Sequence, residues 1–138
     1  CKLMAALLNE EEKVNERFAA VERNYLAIKE KTKDIAQKPE VVIGLPFKDA
    51  WFVPGKKSYV GDLLRDAGAT WAWAEDTSAV SLGLNLEQVY PAGVRAPIWV
   101  APGAVHSISE ILAVDARLAD FQSIKNKKIF NTNARMSP

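Results

Sequence analysis

The sequence contains a single cysteine and a single histidine, and its unbroken apolar runs are short. One Cys, at position 1, makes an internal disulfide framework impossible, and a Cys/His zinc site lacks its ligands. No run approaches the ~20 apolar residues that cross a bilayer. Neither sign of charge dominates: 18 Lys+Arg stand against 17 Asp+Glu, for a formal charge of +1. That balance removes the electrostatic footprint of a dedicated nucleic-acid binder. There is no P-loop, no dinucleotide glycine fingerprint and no GxSxG elbow. His106 neighbours Ser107, but adjacent residues at a helix start cannot oppose nucleophile and base with a third group behind. No signal peptide is present, which in a fragment or a mature chain says nothing about compartment.

What is there is ordinary globular material: 138 residues, 49% apolar and 25% charged. This is the size of one domain and enough to bury a core. Cys1 is read as an accident of where the chain starts. A lipidated cysteine is usually followed by a small polar tether, whereas Lys2–Leu8 reads as helix at once. Residues 3–37 form one helical pattern, with Met4, Leu7, Val14, Phe18, Val21, Tyr25, Ile28 and Ile35 spaced in threes, fours and their sums. A helix of that length runs ~50 Å and suits a bridge between two lobes. A heptad dimer is the alternative reading of the same steps.

After Pro39 short strands and helices alternate. Val41–Leu45 reads as a buried strand. The segment 49–57 reads as a loop carrying Trp51 and Phe52. Ser58 is the expected N-cap of a helix over Tyr59–Ala67 with Tyr59, Leu63 and Leu64 inward, stopped by Gly68. Thr70–Ala74 alternates large and small, predicting a strand with Trp71 and Trp73 on one face, followed by a polar loop at 75–83. Asn85 and Gln88 fit a capping box for a helix kept short by Pro91 and Gly93. Pro97–Ala101 predicts a strand, and Ser107 and Glu110 a second capping box opening a helix to about Val114. Helical turns follow over Ala116–Ser123, and Lys127–Asn131 predicts a last strand. Nothing after it would close the sheet, so truncation is expected. The order predicts an α/β fold: a long N-terminal helix over 1–38, then a Rossmann-like three-layer lobe over 39–138 with a mainly parallel sheet of about four strands.

Three features bear on function, each with a purely structural alternative. Gly55 and Ser58 precede a helix beside Lys56 and Lys57, which suits an anionic group or a plain cap with solvated lysines. Trp71 and Trp73 either pack in the core or wall a crevice at the carboxyl ends of strands, where α/β sheets bind ligands. Glu87, in the first turn of its helix, either complements the helix dipole or presents a charge to a partner.

From Pro39 onward the chain resembles the C-terminal lobe of substrate-binding proteins of the iron-chelate and cobalamin ABC-importer group. Trp51–Phe52–Val53–Pro54–Gly55–Lys56–Lys57–Ser58–Tyr59, continuing to Leu63–Ala69, is similar to the run W-x-V-P-G-x-x-S-Y … L-x-x-D-A-G-G. Leu84–Val89 resembles S-x-E-x-[VL], although the strand that follows has Ile98 where the family usually has Asp. Ile124–Asn131 resembles A-V-K-N-G-R-V-Y, with Lys127 at the Gly position. The long first helix fits the rigid connector of these two-lobed proteins.

The resemblance implies a binding module without catalysis, catalytic residues or a resident cofactor. The ligand is expected to be a preassembled chelate: a ferric siderophore, haem or cobalamin. It implies ligand contacts at Trp51, Phe52, Ser58, Tyr59, Trp73 and Ser78, and docking onto arginines of the permease by Glu87, since Arg grips an exposed carboxylate with two bonds. Direct zinc or manganese capture is not expected with His106 alone. The resemblance also implies a monomer in the periplasm or on the outer face of the cytoplasmic membrane, with or without a lipid anchor in the full-length protein. The other readings are a small Rossmann- or flavodoxin-like enzyme and a helix-mediated oligomerising protein.

Overall fold

The structure, a computed structural model, describes residues 2–131. The expectations for Cys1 and 133–138 lie outside the described residues, as does the Met4 side chain of the helical stripe. The chain divides into two compact units, 1–36 and 37–138.

The first unit corrects the single long helix. It holds α1 (Lys2–Leu7) and α2 (Glu11–Thr32), separated by a turn. Asn9 sits at φ 57°, the left-handed conformation that ends helices and that Asn tolerates better than most residues. The Glu10 N–H then bonds back to the Ala5 carbonyl at 3.0 Å. None of the residues of α2 is buried.

The second unit is built on a parallel sheet of β1 (Val41–Ile43), β4 (Ile98–Val100) and β5 (Ile129–Phe130), in the order β1-β4-β5. Val42 pairs with Trp99, and Trp99 with Ile129. A single parallel bridge between Glu40 and Thr70 sits beyond β1. The expected fourth strand at 70–74 is reduced to that bridge, and Trp71–Ala74 is a turn. Side chains alternate across the sheet with period two. Val41, Ile43, Ile98 and Val100 pack with Leu64 and Trp71 on one face. Val42, Trp99 and Ile129 pack on the other with Trp51, Val53, Val89, Ile111, Leu118 and Phe121.

The largest revision concerns the two expected loops. β2 (Trp51–Pro54) and β3 (Ser81–Leu84) form an antiparallel pair with Trp51 opposite Leu84 and Phe52 opposite Gly83. Among the described residues the unit's helical elements are α3 (Tyr59–Asp66), α4 (Leu86–Arg95), α5 (Ile108–Val114), a 3-10 turn (Ala116–Asp120) and α6 (Gln122–Lys125).

The capping box of α4 has both of its bonds: Gln88 N–H to the Asn85 side chain and Asn85 N–H to the Gln88 side chain, each 2.9 Å. α4 nevertheless runs through Pro91 and Gly93. Pro91 removes the bond its own N–H would make to the Glu87 carbonyl, yet the helix continues to Arg95. Gly93 serves packing, because a Cβ there would lie 2.1 Å from the Phe121 ring. At α5, Ser107 accepts from the Glu110 N–H at 3.2 Å, but Glu110 reaches back to the N–H of His106 at 3.0 Å.

Candidate functional site

The carboxyl ends of β1 and β4 carry the turns where an open α/β sheet binds ligands. Two indoles build the β1 end. Trp51 donates its N–H to the Ile43 carbonyl at 2.8 Å, and Trp99 donates to Gly44 at 2.7 Å. These carbonyls, left over where the strand stops, therefore have partners within the protein. The chain then turns at Phe47–Ala50, closed by the Phe47 N–H to the Ala50 carbonyl at 2.8 Å, with Lys48 at φ 55°. Phe47 is 66% exposed at this crest. After β4 the loop passes through Ala101 and Gly103 at φ 47° and 89°. It is held by the Asn131 side-chain amide, which donates to the carbonyls of Gly103 and Val105 at 2.7 and 2.9 Å. A cleft of about 220 Å³ lies between this loop and β5, lined by Pro102, Val105, His106 and Ile129 among others.

The sequence-derived site residues separate into distinct roles. Trp51 is fully buried, stacked against Trp99 and Phe121 at centroid distances of 5.8 and 6.1 Å. It shapes the crest from beneath and offers a ligand no surface. Ser58 is also buried. It caps α3 by accepting from the Gly61 N–H at 3.1 Å and donates to the Gly55 carbonyl at 2.8 Å. Ser78 joins the same turn, its carbonyl accepting from the Lys57 N–H at 3.1 Å.

The turn is tight. A Cβ on Gly55 would meet the Ser78 carbonyl at 2.4 Å, and one on Gly61 would meet the Gly55 carbonyl at 2.4 Å. The run Pro54–Gly61 is thus a strand-to-helix corner. Of its two lysines, Lys56 already holds Glu75 at 2.7 Å, which keeps the Glu75 carboxyl below its usual range. Trp73 is half-buried and touches both core clusters. Trp71 is buried, with its N–H on the Pro54 carbonyl at 2.8 Å. Phe52 and Tyr59 are the exposed members, at 56% and 77%. The exposure of Tyr59 corrects its expected inward placement. Neither lines the cleft beside β5.

Sequence reasoning missed Phe47, Asn131 and the 101–106 loop. The signal they carried was their position directly after predicted strands, with Phe47 between Pro46 and the turn residues Lys48 and Asp49.

Glu87 borders a second cleft of about 350 Å³, between Pro46–Asp49, the start of α4 and Val114–Arg117. Its side chain is 71% exposed and accepts from the Arg117 guanidinium. Arg117 also grips Asp115, through Nε to Oδ1 at 3.0 Å and Nη2 to Oδ2 at 2.8 Å. Asp115, more than Glu87, raises the affinity of that guanidinium for its proton. In return Arg117 holds the Asp115 carboxyl below its ordinary range. Nearby, the Tyr90 hydroxyl donates to Asp120 at 2.6 Å, which raises the Tyr90 pKa. Among the described residues no cluster of three or more His, Cys, Asp or Glu could hold a metal ion. None of the described helices is long and apolar enough to cross a membrane.

The sequence profile of the periplasmic binding protein family matches residues 1–136. The chain belongs to this family. It is 25% identical over 132 residues to an uncharacterized lipoprotein of Methanocaldococcus jannaschii, covering 94% of this chain and 31% of that protein. Among solved structures it is similar to an ABC-type Fe3+-hydroxamate transport protein of Saccharomonospora viridis (TM-score 0.69, 13% identity, 95% of this chain and 45% of that one). It is also similar to the periplasmic heme-binding protein HutB of Vibrio cholerae (TM-score 0.67, 18% identity, 96% and 52%). A third is the siderophore-binding protein FeuA of Bacillus subtilis complexed with ferri-bacillibactin (TM-score 0.63, 14% identity, 94% and 47%). At these identities the likeness is one of fold. The chain spans about half the length of these structures and under a third of the lipoprotein.

Proposed function

We propose that this chain is the C-terminal lobe of the substrate-binding component of an ABC importer and that it receives a preassembled metal chelate, a ferric siderophore or haem, with a corrinoid as the third class. The observation that carries the reading is the family match over residues 1–136. The similar structures, a hydroxamate-transport protein, a heme-binding protein and a complex with ferri-bacillibactin, support the choice of chelates. The crest supports a binding role. It offers an exposed aromatic, Phe47, and a held loop at 101–106, and Phe52 and Tyr59 are exposed on the β2 strand and at the start of α3. The module is not an enzyme and carries no resident cofactor; the metal arrives inside its chelator. Trp73 and Ser78 stay in the proposed binding region through their partial exposure, while Trp51 and Ser58 act by supporting it. Glu87 docks onto an arginine of the permease. The protein works as a monomer in the periplasm or at the outer face of the membrane.

The test is a titration of the whole two-lobed receptor with haem, ferric siderophores and cobalamin, read by tryptophan quenching. Saturable submicromolar quenching by one chelate supports the reading and names the class. Phe52→Ala and Tyr59→Ala, both at exposed positions, are expected to weaken that quenching while changing stability by no more than about 0.5 kcal/mol. Trp51→Ala is expected instead to cost about 3–5 kcal/mol through the core. Silence toward every chelate overturns the proposed ligand class. Quenching that neither exposed substitution alters removes Phe52 and Tyr59 from the site.

A further inference from the structure

The cleft beside α4 contains an ordered chain of charges. Asp115 is the N-cap of the 3-10 turn, its carboxylate accepting from the Arg117 main-chain N–H at 2.9 Å. The same carboxylate takes Nε and Nη2 of the Arg117 guanidinium, leaving Nη1 to reach Glu87 Oε1. Arg117 is thus pinned from its own turn, and Glu87 is pinned by Arg117. Among the described residues nothing bonds Glu87 Oε2, and the side chain keeps 71% of its surface. A few residues along, Tyr90 on α4 holds Asp120 at the far end of the 3-10 turn, a second tie between the same two elements. Glu87 and Asp115 flank one guanidinium, and the cleft they share is also lined by Asp49 and Lys48, so its ionisable side chains sum to a net negative charge.

We propose that Arg117, held by Asp115, is a positioning residue that fixes Glu87 with one carboxylate oxygen bound and the other open to a docking arginine of the permease. This rests on the docking role proposed for Glu87. An unrestrained exposed Glu loses several rotamers when a partner orders it, and that cost lowers affinity. A Glu already held by one bond loses less. Arg suits this role because its planar fork bonds Asp115 and Glu87 at once, which a Lys ammonium on a flexible stem does less well. Asp115 and Glu87 together hold the Arg117 guanidinium more firmly in its charged form.

The experiment measures binding of the whole chelate-loaded receptor to its permease–ATPase complex in nanodiscs, for wild type, Glu87→Gln, Arg117→Gln, Arg117→Lys and the double variant Glu87→Gln/Arg117→Gln. Melting temperature and chelate titration serve as fold controls for each. Glu87→Gln is expected to weaken docking about tenfold or more. Arg117→Gln should weaken it about threefold to tenfold, the scale of ordering one long side chain, and Arg117→Lys should fall between. In the Glu87→Gln background, removing Arg117 should change nothing further, which a merely structural role would not produce. Docking that is unchanged or tighter in Arg117→Gln overturns the proposal, the latter making Arg117 a competitor for Glu87. An equal loss in both backgrounds overturns it in favour of a structural role. Docking unaffected by Glu87→Gln removes the docking role of Glu87 itself, and the proposal with it.

Discussion

Replacing Gly93 by Ala opposes two effects of known sign. On the surface of a helix interior the change would stabilise α4 by up to about 1 kcal/mol, because Gly is the poorer helix former. Here the new Cβ would lie 2.1 Å from both Cε2 and Cζ of Phe121. Phe121 cannot retreat easily. It is fully buried and packs on Trp99 at 5.1 Å, Trp51 at 6.1 Å and Tyr90 at 5.9 Å between ring centroids. Overpacking a filled core costs about 1–3 kcal/mol. The net expectation is a loss of about 1–2 kcal/mol, several degrees in melting temperature. Urea unfolding of this chain measures it. The decisive control is Phe121→Val, which lacks Cδ2, Cε2 and Cζ, the three atoms the new Cβ would meet. In that background Gly93→Ala should become neutral or stabilising, giving a coupling of about 1–2 kcal/mol in the double-mutant cycle. A Gly93→Ala variant as stable as wild type, or a loss of equal size in both backgrounds, refutes the claim that Phe121 dictates the glycine.

Two further expectations concern single contacts. Ser58→Ala removes the N-cap of α3 and the donor to the Gly55 carbonyl; a loss of about 1–2 kcal/mol is expected in thermal or urea unfolding, and Ser58→Thr should restore most of it. Asp115 has its carboxyl pKa lowered by its bonds to the Arg117 side chain and main-chain N–H, so its contribution is present above the ordinary carboxylate range and fades as pH falls through the depressed value. The melting temperature of Asp115→Asn should therefore trail wild type at neutral pH and converge with it in strong acid, and a constant gap from neutral pH down to about pH 2 counts against the pairing.

The parts of the fold legible from sequence are those whose signal is local. Val41–Val42–Ile43 and Ile98–Trp99–Val100 are uncharged runs bounded by prolines, and both are strands. The Asn85/Gln88 box and the Ser58 cap are bonds between near neighbours and form as expected. The β2–β3 pair was not legible, because its signal is not local. Pro54, Ser81 and Gly83 each argue against a strand when read singly. Paired, they fit: Pro54 and Ser81 lie at the end of the ladder, and Phe52 lies opposite Gly83 with its ring over the glycine. The alternation Trp71–Ala72–Trp73 misled for a related reason. The two indoles pack inward from a turn, Trp71 buried on the Pro54 carbonyl and Trp73 half-buried against both core clusters, so period two here reports packing without a strand. The long N-terminal helix is present as α2, shorter than the spacing predicts because the chain breaks at Asn9, a residue that interrupts a helix while leaving the hydrophobic spacing intact.

The same division explains what the family resemblance can carry. Of the residues in the run Trp51–Tyr59, Trp51, Val53, Pro54, Gly55 and Ser58 are buried. Their work is architectural, and it includes an indole bond to the end of β1, a close backbone approach and a helix cap. The reasons for these residues lie in the geometry of the strand-to-helix corner and are independent of what the lobe binds. The motif reports the scaffold, and it does so well because its members have tight geometric reasons to be the residues they are. Ligand choice has to come from side chains without such reasons. Under the proposed function those are Phe47 at the crest turn and Phe52 and Tyr59 flanking the corner, all three exposed. Substitutions there should redirect or abolish chelate binding at little cost in stability, and substitutions in the motif should do the reverse.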